Sequence, residues 1–172
     1  MRQILEVGPA LVPSGLLRHP TYLLSKLSAI GRGRALEGMA AEDLGAKLPN
    51  NRWHHFTVLT CLADFGPVCQ RRVGEHLSMD SSDLVAVLDD LERAGWVDRE
   101  RDQRDRRRQL VSLTAAGEQA LRRLDDAFRR AEATMLAALT PTERRQLHDL
   151  LLRALAHHNP RIPCPPDHAA AH

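Results

Sequence analysis

The sequence is poor in aromatic residues and has almost no lysine, and both shortages narrow the class of protein. Phe, Trp and Tyr together make up only 3% of the chain. A buried core must therefore consist mostly of Leu, Val and Ala, a composition that favours helices. Lysine occurs only at Lys26 and Lys47, so nearly all positive charge is on arginine. Arginine can form two hydrogen bonds at once with phosphate or guanine, so this bias allows nucleic-acid binding, although a GC-rich genome produces it too.

A strong charge imbalance is also lacking. The net charge is only +2 over 172 residues, so any sign of a nucleic-acid partner must come from local clusters of charge. The hydrophobic fraction of 43% is typical of a globular protein, and the length suits one domain with additional arms.

Cysteine is too scarce, and too irregularly placed, for a disulfide framework. Cys61, Cys69 and Cys164 also lack the spacing of a metal site. The adjacent histidines His54 and His55 would point about 100° apart on a helix and could not share one ion. Motifs of hydrolases, phosphate loops, dinucleotide folds and zinc proteases are missing as well. We therefore predict a protein that is not an enzyme and has no cofactor.

Long hydrophobic runs are missing too. No stretch reaches transmembrane length, and the apolar N-terminal stretch is interrupted by Pro9 and Pro13, unlike a signal peptide. We expect a cytoplasmic protein with no membrane partner and with reduced thiols.

The segment from residue 70 to residue 114 carries the clearest pattern, which predicts a helix, a tight turn, a second helix and a β-hairpin. Leu84, Val87, Leu88 and Leu91 are spaced as one buried stripe of the second helix. The preceding Asp80 is placed to cap the start of this helix with its side chain, and Gly95 follows its end. A two-residue turn before Asp80 makes the two helices cross steeply.

The predicted hairpin carries a cluster of arginines. Residues 96–99 and 109–113 are short β-prone runs, and residues 99–108 contain six arginines against three acidic residues. Such a hairpin suits a phosphate backbone or a minor groove. A short strand at Val68 and Cys69 could pair with it.

Four motifs in register give this region a specific resemblance. The helix-turn-helix is followed by L-E-R-A-G-W-V (91–97), D-x-x-D-R-R (102–107) and V-S-L-T-A-A-G (111–117). This order resembles the MarR family of winged-helix transcriptional regulators, over roughly residues 52–157. The resemblance implies a mainly α fold with a small β-hairpin wing, in which a winged helix-turn-helix lies between N- and C-terminal dimerisation helices.

The rest of the chain supplies helices that need a partner surface. Residues 115–138 carry an apolar seam with coiled-coil-like spacing, Leu147 to Leu155 form another stripe, and Thr140 to Glu143 form a capping box. A second copy of the chain is the simplest partner, so we predict a homodimer. The seam residues are Leu121, Leu124, Phe128, Ala131, Met135 and Ala138. The predicted divisions are an N-terminal arm (1–17), the first dimerisation helix and a connection (18–51), the DNA-binding domain (52–114), the C-terminal dimerisation helices (115–158) and a disordered tail (159–172).

The resemblance also implies a function: a homodimeric, sequence-specific regulator, most simply a repressor, that binds a pseudo-palindromic operator in double-stranded DNA. It assigns Asp105 to holding the wing and Arg104 or Arg106 to the minor groove, with Arg107 in support. The other predicted DNA-binding residues are Arg71, Arg72, Ser81, Ser82, Val85, Ala86, Asp89 and Arg93.

One departure from the family pattern favours an alternative. Residues 80–92 contain five acidic residues and no basic one, and Ala86 and Asp90 stand where relatives often carry arginine. An acidic recognition helix repels phosphate, so we predict modest or unusual specificity. The alternative is a DNA-silent dimer that binds a ligand or a protein on the same scaffold.

A small effector is the last expectation. Family members bind aromatic or phenolic acids, and the candidate site here combines cationic and aromatic residues. Ordinary helix packing would explain these residues equally well. A weaker alternative is a thiol-based redox regulator that uses Cys69, beside Arg71 and Arg72. The candidate effector residues are Arg18, His19, Tyr22, Trp53, His54 and His55.

Overall fold

The computed structural model describes residues 12–41, 52–101, 109–159 and 161–162. The chain divides into two compact units, residues 1–132 and residues 133–172. Predictions that fall on residues 1–11, 42–51, 102–108 and 163–172, including most of the arm and the tail, lie outside the described residues.

The fold class predicted from the sequence is confirmed, because helices dominate and a small antiparallel sheet accompanies them. A short 3₁₀ turn, Leu16–Arg18, precedes the first helix. The elements are α1 (Pro20–Ala41), α2 (Arg52–Phe65), β1 (Val68–Cys69), α3 (Gln70–Leu77), α4 (Ser81–Arg93), β2 (Val97–Arg101), β3 (Gln109–Leu113), α5 (Ala115–Met135) and α6 (Pro141–His158).

The crossing of α3 and α4 forms the helix-turn-helix. The stripe predicted for α4 is confirmed, since Leu84, Val87, Leu88 and Leu91 are all buried. A Cβ atom on Gly74 of α3 would lie 3.4 Å from Leu84 Cδ2, so the small residue allows the two helices to approach closely. The turn between the two helices lies at this point of close packing, since a Cβ atom on Gly74 would also lie 3.4 Å from the carbonyl oxygen of Met79.

The two ends of α4 differ from each other in how well the sequence predicted them. Asp80 occupies the N-cap position, but its side chain makes no capping hydrogen bond, so the predicted side-chain cap is wrong. The C-terminal end is as predicted: Gly95 has φ +74°, the left-handed conformation that glycine adopts at low energetic cost. The N–H of Gly95 donates to Glu92, and the N–H of Trp96 donates to Leu91, 2.9 Å in each case.

The wing is a three-stranded antiparallel sheet in the order β1-β3-β2. Val68 pairs with Val111, which confirms the short strand predicted before α3. In the hairpin, Val97 pairs with Leu113 and Arg101 with Gln109. Because β1 directly precedes α3, the sheet holds the start of the helix-turn-helix against the wing.

Helix α5 begins where the wing returns to the end of α4. The hydroxyl of Thr114 accepts a hydrogen bond from Gly117 N–H at 3.0 Å and donates to the carbonyl of Gly95 at 2.8 Å, so Thr114 caps the start of α5. The N–H of Thr114 donates to the carbonyl of Trp96 at 3.1 Å. These bonds tie the end of α4, the wing and α5 at one point.

The predicted seam of α5 needs two corrections. The helix ends at Met135, so Ala138 lies beyond it. Leu124 and Ala131 are buried within this chain, and Leu121 and Phe128 pack against its core. Part of the seam therefore packs in the core of this chain. Apolar residues spaced three and four apart form a stripe that can pack on any helix, and here Phe128 contacts Phe56 of α2.

Helix α1 presents most of its apolar side chains to solvent. Ala35 is buried, and a Cβ atom on Gly38 would lie 3.8 Å from Ala127 Cβ of α5. Leu23, Leu24 and Ile30, in contrast, are 41%, 43% and 51% exposed. An apolar face of this kind is what a dimerisation helix requires.

The second unit contains α6. The predicted capping box is confirmed: the backbone N–H of Thr140 donates to Glu143 Oε2 at 2.7 Å, and Pro141 follows at the first helical position. Leu150 and Leu155 are 54% and 56% exposed. Among the residues that the structure describes, no helix is long and apolar enough to span a membrane.

Candidate nucleic-acid interface

An open groove of about 1100 Å³ runs along the helix-turn-helix between the start of α3, the turn and the start of β3. Arg71 and Arg72 lie on one side of it, Ser81 of α4 and Gln109 of β3 on others. Sequence reasoning missed Gln109, because only the strand register shows that the return strand of the wing begins beside α3.

The two arginines of α3 are available to a ligand. Arg71 and Arg72 are exposed, and their only described ion pairs are with Glu75, at 3.4 Å and 3.8 Å. Exposed pairs of this kind contribute roughly 0–1 kcal/mol, so either arginine can exchange its carboxylate for a phosphate at little cost.

Three acidic residues of α4 are paired with basic groups of the same chain, although two of them, Asp89 and Glu92, have side chains that are 47% exposed. Both Asp89 and Glu92 pair with Arg99 of β2, the former through Arg99 Nη2 and the latter at 3.4 Å from Arg99 Nε. Arg99 itself is only 13% exposed. Its single positive charge therefore offsets part of the negative charge of Asp89 and Glu92, and it does not add to the wing's surface charge as the sequence count assumed.

Strand alternation explains the orientation of Arg99. Val97 and Arg99 lie two residues apart on β2 and share the face that packs on α4. The orientation of Arg99 could have been predicted from the sequence, because every second residue of a strand faces the same side and the apolar Val97 is expected to face the core.

Asp90 of α4 contacts both Arg93 of the same helix and His55 of α2. It accepts a hydrogen bond from Arg93 at 2.7 Å, and its Oδ2 lies 3.2 Å from His55 Nε2 of α2. Burial raises the pKa of Asp90, but the hydrogen bonds from Arg93 and His55 outweigh it, and the net pKa is below its usual range. Asp90 thus connects α4 to α2.

This pair makes stability depend on pH. A carboxyl group whose pKa is lowered on folding stabilises the fold above its unfolded pKa, and the contribution is lost as the pH falls through the folded value. We expect Asp90→Asn to lower the free energy of unfolding by about 1–3 kcal/mol at pH 7. The deficit should shrink below pH 3.8, the ordinary value for aspartate.

Urea denaturation of both proteins between pH 7 and pH 3 measures this effect. Asp98→Asn is the control, because Asp98 is exposed and has no ion pair among the described residues; it should change the unfolding free energy by less than about 0.5 kcal/mol. A deficit in Asp90→Asn that stays constant down to pH 3 would contradict the proposed pairing.

Among the DNA-binding residues predicted on α4, Ser82, Val85 and Ala86 are exposed. Asp89 is half-buried and held by Arg99, and Arg93 is exposed and hydrogen-bonded to Asp90. The predicted wing residues Arg104, Asp105, Arg106 and Arg107 lie outside the described residues, and their roles stay predictions.

The candidate effector residues are only partly brought together. Trp53 and His54 line a cavity of about 230 Å³ with the turn, Asp80 and Asp83. His55 lies on the opposite side of α2 from Trp53. It is 1% exposed and bonded to Asp90, so it belongs to the core and does not line this cavity.

The other candidates are on the N-terminal segment. Arg18 and His19 are exposed, and neither side chain has a hydrogen bond or ion pair with a described residue. Tyr22 is half-buried, with Lys26 Nζ 5.3 Å from its ring centroid. Trp53 instead contacts Phe128, at 5.3 Å between ring centroids.

The two described cysteines differ in environment. Cys61 is buried, and burial, followed by the nearby Asp64 charge, raises the pKa of its thiol, so it resists becoming a thiolate. Cys69 is half-buried at the N-cap of α3 and lines the groove. Among the described residues, no group of three His, Cys, Asp or Glu side chains is arranged to hold a metal ion.

The helix-turn-helix and its wing match known proteins. Residues 52–108 match the MarR family. The winged helix-turn-helix of this chain belongs to the MarR family. Members of that family are transcription regulators, so at the level of the family a non-enzymatic role is supported.

Individual relatives extend the MarR match. Over 102 residues the chain is 33% identical to the HTH-type transcriptional regulator YkoM of Bacillus subtilis, covering 59% of this chain and 66% of YkoM. It is 29% identical over 130 residues to the transcriptional repressor Rv2887 of Mycobacterium tuberculosis, covering 76% of this chain and 88% of Rv2887. The match to YkoM thus spans slightly less than two thirds of that protein's length.

A solved structure shares the MarR fold over most of the chain. The PcaV transcriptional regulator of Streptomyces coelicolor, solved with its natural ligand, has a TM-score of 0.62 and 28% sequence identity. The similarity covers 86% of this chain and 97% of PcaV.

Proposed function

We propose that this protein is a homodimeric repressor that binds pseudo-palindromic operator DNA and is released by a small aromatic or phenolic effector. The observation that carries the proposal is that acidic residues of α4 are paired within the chain. Arg99 pairs with Asp89 and Glu92, and His55 pairs with Asp90. The helix is therefore less repulsive to phosphate than its sequence indicates, which weakens the case for a DNA-silent dimer.

The surrounding groups fit a DNA backbone. Arg71 and Arg72 lie at the start of α3, where free backbone N–H groups and the helix dipole also favour an anion. The arginines of residues 104–107 would add contacts from the wing, as the family resemblance implies. In this arrangement α4 enters the major groove, and α3 and the wing contact phosphates on either side.

Dimerisation is supported by the exposed apolar faces of α1 and α6 in their respective units, including Leu23, Leu24, Leu150 and Leu155. Two copies related by a two-fold axis would present two α4 helices to half-sites about 10 bp apart. Repression is supported by the similarity to Rv2887.

The effector part of the proposal rests on the cavity beside α4. Trp53 supplies an aromatic wall, and Asp80 and Asp83 place the cavity directly against the first turn of α4. PcaV, which has this fold, binds a natural ligand. An effector seated there would displace the start of α4, and release of the bound DNA by hydroxybenzoic acids is the direct measurement.

The decisive experiment measures binding of purified protein to the DNA flanking its own gene, against a scrambled duplex, from about 50 to 200 mM salt. Each phosphate that the protein neutralises contributes roughly −0.9 to the slope of log K against log salt. Arg71→Ala/Arg72→Ala should reduce the magnitude of the slope by about 2 and weaken binding to all sequences alike.

A matched control is available on α5. Arg122→Ala/Arg123→Ala removes the same charge from another adjacent pair of exposed arginines, and it should leave the slope unchanged. Size-exclusion chromatography with light scattering tests the dimer. A folded dimer that binds no duplex at the lowest salt would reject the regulator and favour the DNA-silent alternative.

A further inference from the structure

The N-terminal half of α4 has an outward face without charge. Ser82, Val85 and Ala86 are exposed there, and Val85 is 39% exposed although it is an aliphatic residue. The buried stripe, beginning with Leu84, lies on the opposite side of the helix. Neither the open groove along α3 nor the cavity beside α2 is lined by any of these three exposed residues.

The charged groups of α4 flank this face or lie one to two turns further along the same side of the helix. Asp83 lines the cavity beside α2, and Asp90 is bonded to His55 of α2. Asp89 and Glu92, four and seven residues after Val85 on the same side of the helix, are held by Arg99, and the exposed Arg93 lies at the C-terminal end. The exposed N-terminal face therefore has no arginine, lysine, asparagine or glutamine, the residues that read guanine or adenine with paired hydrogen bonds.

Only one group in the major groove matches an aliphatic side chain. Thymine presents a C5 methyl group there, and the other bases present hydrogen-bonding atoms that Val85 and Ala86 cannot satisfy. A serine hydroxyl can donate or accept, so Ser82 tolerates several bases. We infer that Val85 reads a thymine methyl group in each half-site, so that the operator is specified by apolar contact. This inference rests on the proposed binding of α4 in the major groove.

The test isolates one methyl group. The full-length protein selects duplexes from a random-sequence pool, and the selected site is then synthesised with deoxyuridine replacing thymine at single positions. Deoxyuridine pairs as thymine does but lacks the C5 methyl. We expect one position per half-site at which this replacement weakens binding by about fourfold, the factor that corresponds to burial of one carbon.

Variants of Val85 connect that position to the side chain. Val85→Ala should lower the thymine-to-deoxyuridine affinity ratio at the same position to about one, whereas Val85→Ile, which keeps a branched apolar tip, should retain it. Val12→Ala makes the same truncation at a valine that is 50% exposed outside α4, and it should leave the ratio unchanged. A side chain with only a structural role would change affinity for both duplexes equally.

The outcomes separate the two proposals. Failure to select any sequence from the pool would reject DNA binding itself. A selected operator whose half-sites lack thymine, or whose affinity is insensitive to deoxyuridine, would overturn the methyl contact while leaving the regulator intact. A ratio that persists in Val85→Ala would overturn the assignment to Val85.

Discussion

Gly117→Ala is expected to lower the free energy of unfolding by about 3 kcal/mol, the upper end of the range for overpacked sites. A Cβ atom at residue 117 would overlap the carbonyl oxygen of Trp96 and lie 2.9 Å from its carbonyl carbon. Both atoms belong to the backbone and cannot rotate away, so α5 would have to move. That movement would break the hydrogen bond from Thr114 N–H to Trp96, which is 3.1 Å long.

The measurement is urea denaturation followed by circular dichroism, with Gly33→Ala as the matched control. Gly33 lies within α1, and a Cβ atom there would meet nothing within 4 Å. Alanine in the interior of an exposed helix is favoured over glycine by roughly 0.5–1 kcal/mol, so the control should be neutral or stabilising. Equal midpoints for the two variants would contradict the close contact between α5 and Trp96.

Arg99→Met should weaken operator binding by about tenfold at moderate salt, equivalent to roughly 1.4 kcal/mol. The substitution keeps much of the side-chain volume but removes the charge that offsets Asp89 and Glu92. Two carboxylates would then face the phosphate backbone, and β2 would lose its polar attachment to α4. Because the repulsion is electrostatic and the Debye length shortens to about 8 Å by roughly 150 mM salt, the loss should be larger at 50 mM salt than at 200 mM salt.

A compensating variant separates charge from position. In an Arg99→Met background, Asp89→Asn and Glu92→Gln remove the unpaired charges, and affinity should return to within a few-fold of the wild type. Arg122→Met on α5 removes the same single positive charge from an exposed position and should have little effect on operator binding. If the triple variant binds as weakly as Arg99→Met alone, repulsion is not the cause and Arg99 acts by orienting the wing.

Local sequence patterns predicted most of the fold because they are set by interactions over a few residues. The stripe of α4, the glycine at its end and the capping box of α6 all depend on neighbours within four or five positions, and all three are confirmed. The class of fold followed from the order of these elements and from the family resemblance.

The electrostatics of the site could not be predicted in the same way. The acidic content of α4 was correct as a count, but the partners of these residues lie elsewhere in the chain: His55 is 35 positions before Asp90, and Arg99 is 10 positions after Asp89. Whether a carboxylate repels DNA or supports the helix depends on these tertiary contacts. The N-cap prediction for Asp80 failed for a related reason, since a capping residue type does not fix the rotamer of its side chain.

The junction at Gly95, Trp96 and Thr114 also bears on the entropy of binding. Hydrogen bonds from Trp96 to Leu91 and from Thr114 to both Trp96 and Gly95 fix the angle between α4 and the wing within the free protein. A protein that had to order these two elements against each other on meeting its ligand would lose conformational freedom at that moment and bind more weakly. Here that freedom is already lost on folding, so the helix and the two strands can meet a surface as one rigid body.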